Sequence, residues 1–299
     1  MRSILLLSAL LCLVAAPAAA QNGRPLPLNA ECVLLLDPEG KVLFAKNPEE
    51  VHAPASLVKL MTLYLAYEEL EAGRAQWDDP VAITRNAALT PRFRMGLRAG
   101  EAVPLSVLLE ALAIASANDA ATAVAEHLAG SEEDFVVRMN AKAQELGLKA
   151  TRFANAHGLP DPLQRSTAYD LATLTARLLH DHPAARLILG GKTFLYRGRI
   201  YTRRIPLFDH PGGVEALKTG FTNEAGYNLA VAAWRAGQQF VLIVLGAHTR
   251  FRSFRDARTL LEYGFHEAGF ASSEEPPLAL PSRRPGPTRR SRAAVGKAG

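Results

Sequence analysis

The sequence has 299 residues, of which 48% are hydrophobic and 21% charged, a composition typical of a globular protein rather than a disordered chain. The formal net charge is +5, but without Arg2 and the six basic residues beyond Pro276 the charge of residues 21–275 is −2. We therefore expect a nearly neutral domain with no nucleic-acid partner.

The first 20 residues have the pattern of a secretory signal peptide. Arg2 precedes an apolar run from Ile4 to Val14, and the small residues 18–20 end it. We expect cleavage before Gln21, export to the periplasm or cell envelope, and no transmembrane helix in the mature chain. Cys32 would then be the one remaining cysteine, and its apolar surroundings predict a core position without a disulfide.

Residues 31–36 and 41–45 are two strand-like runs joined by the turn-forming Pro38 and Gly40, which predicts a hairpin. A strongly apolar helix follows, from Pro54 to about Glu71. Its first turns carry Ser56 and Lys59, which lie on one face because residues three apart are neighbours on a helix. An apolar setting lowers the pKa of a lysine, so Lys59 could activate Ser56 as a nucleophile. This spacing is also common on surface helices and needs support from the rest of the chain.

The middle of the chain is predicted to be helical, with a short strand at 81–84 before it. Periodic apolar residues predict helices at 104–115, 120–128, 131–147 and 166–180. Between the first two helices, Ser116-Ala117-Asn118 breaks the pattern. This corner places a hydroxyl and an amide in the interior, where an unpaired polar group costs a few kcal/mol. We therefore expect both groups to have hydrogen-bond partners.

The last third of the chain changes to an extended pattern. Strands are predicted at 193–196, 200–202, 227–234 and 240–245, and a closing helix at 254–265. The triplet Lys218-Thr219-Gly220 comes before the strand that contains Tyr227. Strands at both ends of the domain, with helices between them, predict an α+β fold with one antiparallel sheet flanked by helices.

Three motifs occur in a fixed order: Ser56-x-x-Lys59, Ser116-x-Asn118 and Lys218-Thr219-Gly220. Together they are the motif set of serine β-lactamases and penicillin-binding proteins. Residues 28–268 closely resemble the low-molecular-mass penicillin-binding proteins, the D-alanyl-D-alanine carboxypeptidases of peptidase family S11. The resemblance implies a β-lactamase/DD-peptidase-like fold with an inserted helical subdomain. We expect one catalytic domain over residues 21–270 and a basic tail over 271–299, whose composition cannot form a core.

The resemblance also implies roles for four catalytic residues. Ser56 would attack the carbonyl between two D-alanines, and Lys59 would accept its proton. Ser116 would relay a proton to the leaving amine. Asn118 would hold Lys59 and the amide of the substrate.

A second group of residues would bind the substrate. Lys218 and Thr219 would contact its terminal carboxylate, and Gly220 would let the strand approach it closely. The backbone N–H groups of Ser56 and Phe221 would form the oxyanion hole.

The sequence departs from the family at two places in the predicted site. The Asn-x-Asn stretch of the family is Thr202-Arg203-Arg204 here, which keeps Arg203 but neither amide. The family also binds the carboxylate with an arginine near the start of the last helix. Arg250, Arg252 and Arg255 all lie near that position, and the sequence does not choose among them.

The implied substrate is the peptidoglycan pentapeptide, with β-lactam antibiotics as covalent inhibitors and membrane contact at most through the basic tail. No cofactor is implied. We also expect no metal, because His180 and His182 are two apart and would face different ways on a helix. A Ser-His-Asp hydrolase is disfavoured because the Gly-x-Ser-x-Gly motif is absent, and we expect a structural role for His157.

Three alternatives remain. A serine β-lactamase is disfavoured because the Glu-x-x-Leu-Asn motif, which supplies a deacylating carboxylate, is absent between Ser116 and Lys218. A D,D-endopeptidase that cuts peptidoglycan crosslinks would use the same residues. A non-catalytic peptidoglycan-binding protein is disfavoured because all three motifs are intact.

Overall fold

The structure is a computed structural model that describes residues 26–209 and 213–270. The predicted signal peptide and the predicted tail lie outside the described residues. Within the described ranges, no helix combines the length and the hydropathy that a membrane span requires.

In residues 26–209 and 213–270, nine strands form one large sheet and two small hairpin-like sheets. The large sheet is antiparallel throughout and has the order β2-β1-β9-β8-β7. The small sheets pair β3 with β4 and β5 with β6. The strands are β1 (Cys32–Leu36), β2 (Val42–Lys46), β3 (Pro80–Ala82), β4 (Ala102–Pro104), β5 (Thr193–Tyr196), β6 (Arg199–Thr202), β7 (Val214–Thr222), β8 (Gly226–Arg235) and β9 (Gln238–Ala247).

The helices lie on both faces of the large sheet. They are α1 (Lys59–Glu71), α2 (Arg85–Leu89), α3 (Leu105–Glu110), α4 (Asn118–Ala129), α5 (Glu132–Glu145), α6 (Ala168–Asp181), α7 (Ala185–Gly190) and α8 (Arg250–Glu267). The described part of the chain also contains two 3₁₀ turns, Ala55–Val58 and Pro206–Asp209, and one π turn, Ala111–Ala115.

Two hydrophobic cores are separated by the sheet. Successive side chains on a strand point to opposite faces. Leu34 of β1 therefore packs in the larger core with α1, α4 and α6, and Val33 and Leu35 pack in the smaller core with α8. The central strand β9 is buried on both faces, which explains its uninterrupted apolar run from Phe240 to Leu245.

The predicted α+β architecture is confirmed, as are the hairpin over β1 and β2 and the end of the first helix at Glu71. The predicted core position of Cys32 is also confirmed, with no exposed surface.

Three details differ. Lys218-Thr219-Gly220 lies within edge strand β7 rather than ahead of the sheet edge. The last helix begins at Arg250, because the Thr249 hydroxyl caps it by accepting from the Arg252 N–H. The first helix begins as a 3₁₀ turn.

Candidate active site

Ser56 lies in the 3₁₀ turn that leads into α1, between two segments of backbone. The turn is anchored by Leu57 and Val58, which are fully buried. Ala55 has a left-handed φ of 50°, a conformation that is strained for a residue with a Cβ atom. Gly158 and Gly220 both pack against this turn: a Cβ atom on Gly158 would overlap the Ala55 carbonyl, and one on Gly220 would lie 3.2 Å from the Ser56 nitrogen. Close backbone packing therefore fixes the position of Ser56.

Lys59 is fully buried and has three oxygen partners. Its Nζ lies 3.2 Å from Ser56 Oγ and donates to Asn118 Oδ1 at 2.7 Å and to the backbone carbonyl of His157. Burial lowers the pKa of Lys59 to about 7, although the charges of Asp119 and Glu132 oppose this shift. A neutral amine has two N–H groups, which Asn118 and His157 can accept. Its lone pair is then free to face the Ser56 hydroxyl.

Ser116 and Asn118 occupy the predicted corner, and both have the expected partners. The π turn ends at Ser116, whose left-handed φ of 57° breaks the helix before α4 begins. Asn118 Nδ2 donates to the carbonyls of Pro91 and Arg92 at 3.0 and 3.1 Å. These contacts orient the Asn118 amide so that its oxygen faces Lys59.

Lys218 of β7 lies on the other side of Ser116. Its Nζ donates to Ser116 Oγ at 2.8 Å and to the Thr219 carbonyl at 2.9 Å, and only 1% of its surface is exposed. Burial, together with the nearby charges of Lys59 and Arg203, lowers the pKa of Lys218 well below its ordinary value. Each of the two serines is thus in contact with one buried lysine, Ser56 with Lys59 and Ser116 with Lys218.

A cavity of about 340 Å³ opens between these residues. Of the three candidate arginines, Arg250 lines it, and its guanidinium stacks over Phe254 at 5.5 Å and donates to the Arg204 carbonyl at 2.9 Å. Arg252 and Arg255 do not line it, and Arg255 lies 3.8 Å from Asp256 instead. No Asp or Glu of residues 26–209 or 213–270 lines the cavity. Of the other residues predicted to bind substrate, Thr219, Gly220 and Phe221 line it, whereas Lys218 does not and reaches it only through its contact with Ser116.

Arg203 also borders the cavity, but its guanidinium is occupied by backbone carbonyls. It donates to the carbonyls of Gly191, Ala113, Leu217 and Leu189, the first three at 2.7, 3.2 and 3.0 Å. Burial lowers the pKa of Arg203 to about 10. The side chain therefore ties the π turn to strand β7, one residue before Lys218.

Two further residues shape the site, although neither belongs to one of the three motifs. Phe93 lines the cavity, 60% exposed, with a left-handed φ of 34°, and its carbonyl accepts from the Asn118 N–H at 2.8 Å. Asp119 is fully buried and accepts backbone N–H groups from residues 95–97. The position of Asp119 directly after the Ser-x-Asn motif was a usable signal, whereas nothing in the pattern around Phe93 indicated an exposed aromatic at the cavity.

The rings of His157, His180 and His182 take no direct part in this arrangement. The ring of His157 accepts from the Leu159 N–H through Nδ1, and only its backbone carbonyl contacts Lys59. His180 Nδ1 faces Asp181, whereas His182 is buried and faces Glu71. In the described part of the chain, no group of three or more His, Cys, Asp or Glu side chains could hold a metal ion.

Comparison with known proteins gives the same family as the motifs. The sequence profile of the D-alanyl-D-alanine carboxypeptidases, Peptidase_S11, matches residues 18–249. Carboxypeptidases of Bacillus subtilis and Escherichia coli are 35% and 37% identical over 88% and 83% of this chain, which spans 70% and 64% of their lengths. A D-alanyl-D-alanine endopeptidase of Pseudomonas aeruginosa is 31% identical, with 87% of each chain aligned.

Solved structures agree in fold. Penicillin-binding protein 5 of Haemophilus influenzae has a TM-score of 0.79 at 33% identity, with 82% of this chain and 73% of that chain aligned. Penicillin-binding protein D2 of Listeria monocytogenes, in its cefotaxime-bound form, has a TM-score of 0.70 at 32% identity over 81% of this chain and all of that one. With the profile, the relatives and the fold in agreement, the chain belongs to peptidase family S11, the family of the D-alanyl-D-alanine carboxypeptidases.

Proposed function

We propose that this chain is a serine-type D-alanyl-D-alanine carboxypeptidase that removes the terminal D-alanine from peptidoglycan pentapeptides through an acyl-enzyme on Ser56. The observation that carries the proposal is the contact of a buried lysine amine, of pKa about 7, with the Ser56 hydroxyl at 3.2 Å. Family membership supports the reaction class.

In the first step, Lys59 accepts the proton of Ser56 while Oγ attacks the carbonyl carbon of the D-Ala–D-Ala bond. A pKa near 7 leaves about half of the amine neutral at neutral pH, so the base is available without a cofactor. Asn118 and His157 hold the amine through its two N–H groups. The backbone N–H groups of Ser56 and Phe221 stabilise the oxyanion.

In the second step, the bond to the leaving D-alanine breaks and its nitrogen takes a proton from the Ser116 hydroxyl, which is restored by the proton that Lys59 took from Ser56, so that Lys59 is again neutral. Lys218 donates to Ser116 Oγ at 2.8 Å and so stabilises the charge that develops on this oxygen. Water then attacks the acyl carbon, and Ser56 leaves as the free hydroxyl. A proton passes from the water through Lys59 to Ser56.

The terminal carboxylate of the substrate would bind in the cavity near Thr219 and Arg250. Arg250 is the one arginine of the three candidates that lines the cavity. Arg203 acts as a positioning residue, because backbone carbonyls already accept from its guanidinium. We therefore assign carboxylate binding to Arg250 and not to Arg252 or Arg255.

β-Lactams should acylate Ser56 and remain bound. The Listeria monocytogenes relative has been solved in a cefotaxime-bound form. In the described part of this chain no carboxylate lines the cavity, so nothing there resembles the deacylating glutamate of a β-lactamase.

Labelled benzylpenicillin, followed by intact-mass measurement and peptide mapping, tests this proposal. We expect one adduct per chain, on Ser56, that persists for many turnover times of the peptide reaction, and none on Ser56→Ala. Rapid hydrolysis of penicillin would favour a β-lactamase, and an adduct on another residue would contradict the mechanism.

The second candidate is a D,D-endopeptidase, favoured by the similarity of this chain to the Pseudomonas aeruginosa endopeptidase, at 31% identity over 275 residues. An acyl-D-Ala-D-Ala peptide and the same peptide amidated at its C-terminus separate the two activities. A carboxypeptidase should cleave the free acid faster by about tenfold to a hundredfold, because the amide loses the ionic contact to Arg250. Equal rates would favour the endopeptidase.

We also infer that the mature enzyme acts outside the cytoplasmic membrane, where its proposed substrate lies. The signal-like pattern of residues 1–20 supports export, and the composition of 271–299 is that of a solvated basic extension. Mass measurement of the exported protein should give an N-terminus at Gln21.

A further inference from the structure

Glu132, the first residue of α5, is a partly buried acid next to the catalytic lysine but outside the catalytic cavity. Its side chain is 16% exposed. Its Oε1 accepts from the Ala156 N–H at 2.9 Å, and Thr122 also donates a hydrogen bond to the carboxylate. Burial raises the pKa of Glu132, and the hydrogen bond from Ala156 opposes that shift.

The segment 155–158 lies between Glu132 and the catalytic helix. On one side, the Ala156 carbonyl accepts from Thr62 Oγ1 at 2.7 Å, and the His157 carbonyl accepts from Lys59. On the other side, the Ala156 N–H donates to Glu132. The same short backbone segment is therefore held by Glu132 and in turn holds the amine of Lys59.

The His157 ring strengthens this connection. Because Nδ1 accepts from the Leu159 N–H, the ring proton is on Nε2, which lies 3.5 Å from Glu132 Oε1. Burial and the charge of Lys59 lower the pKa of His157 to about 3, so the ring is neutral at the pH of the reaction and does not neutralise the carboxylate. The negative charge of Glu132 remains available to Lys59.

Lys59 becomes an ammonium ion each time it takes the proton of Ser56, and this ion must be stabilised in a buried site. Two carboxylates act on it. Asp119 already accepts backbone N–H groups from Met95, Gly96 and Leu97, which disperse its charge. The electrostatic interaction between Lys218 and Lys59 makes the ammonium ion less stable. Asp119, His157 and Lys218 interact electrostatically with Lys59, whereas Glu126 and the exposed Glu133 interact with Glu132.

We propose that Glu132 is a positioning residue of the acylation step, which holds segment 155–158 in place and stabilises the positive charge that Lys59 gains. The proposal rests on the proposed role of Lys59 as the base. It assigns two separable effects to one side chain: a hydrogen bond, which a glutamine can keep, and a charge, which a glutamine lacks.

The experiment measures the second-order rate of acylation by benzylpenicillin as a function of pH for the full chain and three variants. Glu132→Gln keeps an acceptor for Ala156 but removes the charge. Glu132→Ala removes both. Glu133→Gln is the matched control, because it removes the same charge from the next residue, which is exposed.

For Glu132→Gln we expect the acid limb of the profile to move to lower pH by about half a unit or more, because loss of a nearby negative charge makes the ammonium form less stable. We expect Glu132→Ala to show the same shift and, in addition, a lower rate at every pH, by about tenfold, because Lys59 is held less firmly. Glu133→Gln should superimpose on the parent. Thermal melting separates a loss of fold from these effects.

A Glu132→Gln profile that superimposes on the parent would overturn the electrostatic role, and so would an equal shift in Glu133→Gln. An undiminished rate in Glu132→Ala would overturn the positioning role. If Glu132→Ala fails to fold, Glu132→Gln still decides the charge effect. Failure of the proposed function is a separate result, because the parent enzyme would then show no acylation on Ser56.

Discussion

At the scale of single residues, the chemistry depends on the protonation of one buried amine. Burial lowers the pKa of Lys59 from 10.5 to about 7, which disfavours its protonated form by about 4–5 kcal/mol. The cost arises because leucines and valines around the turn exclude water from the amine. The acylation rate should therefore fall about tenfold for each pH unit below 7, as the neutral amine is depleted.

Replacing Lys59 by arginine tests whether a proton acceptor, and not merely a cation, is required. A guanidinium stays charged at neutral pH, so Lys59→Arg should lose at least about a hundredfold in acylation rate. Lys41→Arg, at an exposed lysine of the β1–β2 turn, should behave like the parent. Labelled penicillin measures both. Near-normal acylation of Lys59→Arg would assign the base to another group.

Arg250 should determine the preference for a free carboxylate. Arg250→Ala should slow cleavage of the acid peptide by about tenfold to a hundredfold and leave the amidated peptide nearly unaffected, because a charge-assisted contact is lost only in the acid. Arg255→Ala is the control, since Arg255 lies away from the cavity. If Arg255→Ala removed the preference and Arg250→Ala kept it, the assignment would be wrong.

At the scale of elements, the site depends on how closely backbone segments pack around the turn that carries Ser56. Gly158 has a φ of 90° and leaves no space for a Cβ atom against Ala55. Gly147 has a similar φ of 73°, but a Cβ atom there would meet nothing within 4 Å. The two glycines therefore separate a steric clash from backbone strain alone.

Gly158→Ala should destabilise the fold by about 2 kcal/mol or more and displace Ser56, because the clash adds to the strain of a left-handed alanine. Gly147→Ala should cost only about 1 kcal/mol. Thermal melting and penicillin acylation measure the two effects. Equal melting temperatures for the two variants would show that the backbone of segment 155–158 can shift to accommodate the added methyl group.

The sequence predicted the elements of the site better than their junctions. Spacing and apolar periodicity predicted the helix over Ser56 and Lys59 and the corner at Ser116, because both are local patterns. The π turn before Ser116 has no local signal, since alanine, leucine and isoleucine suit any helix. The choice of Arg250 among three arginines depends on where α8 begins and on which way it faces, which tertiary packing decides. Glu132 comes close to Lys59 through tertiary packing, and its hydrogen bond goes to Ala156, 24 residues away in the chain.

At the scale of the whole molecule, the last described element, α8, ends at Glu267, before the predicted basic tail. Deletion of residues 276–299 should leave the melting temperature and the activity on a soluble peptide unchanged, because that stretch has too few large apolar residues to form a core. The full chain measured in parallel is the control. A drop of several degrees in the truncated protein would show that the tail packs against the domain.

The position of β9 has a consequence for how the protein folds. It is the last strand in the sequence, yet it lies at the centre of the sheet between β1 and β8, and its pairing with β1 joins Cys32 to Leu245. Contacts so distant in sequence form late and slowly. The sheet that positions Lys218 beside Ser116 therefore cannot close until Ala247 is available, so a chain that ends before β9 should lack the assembled site.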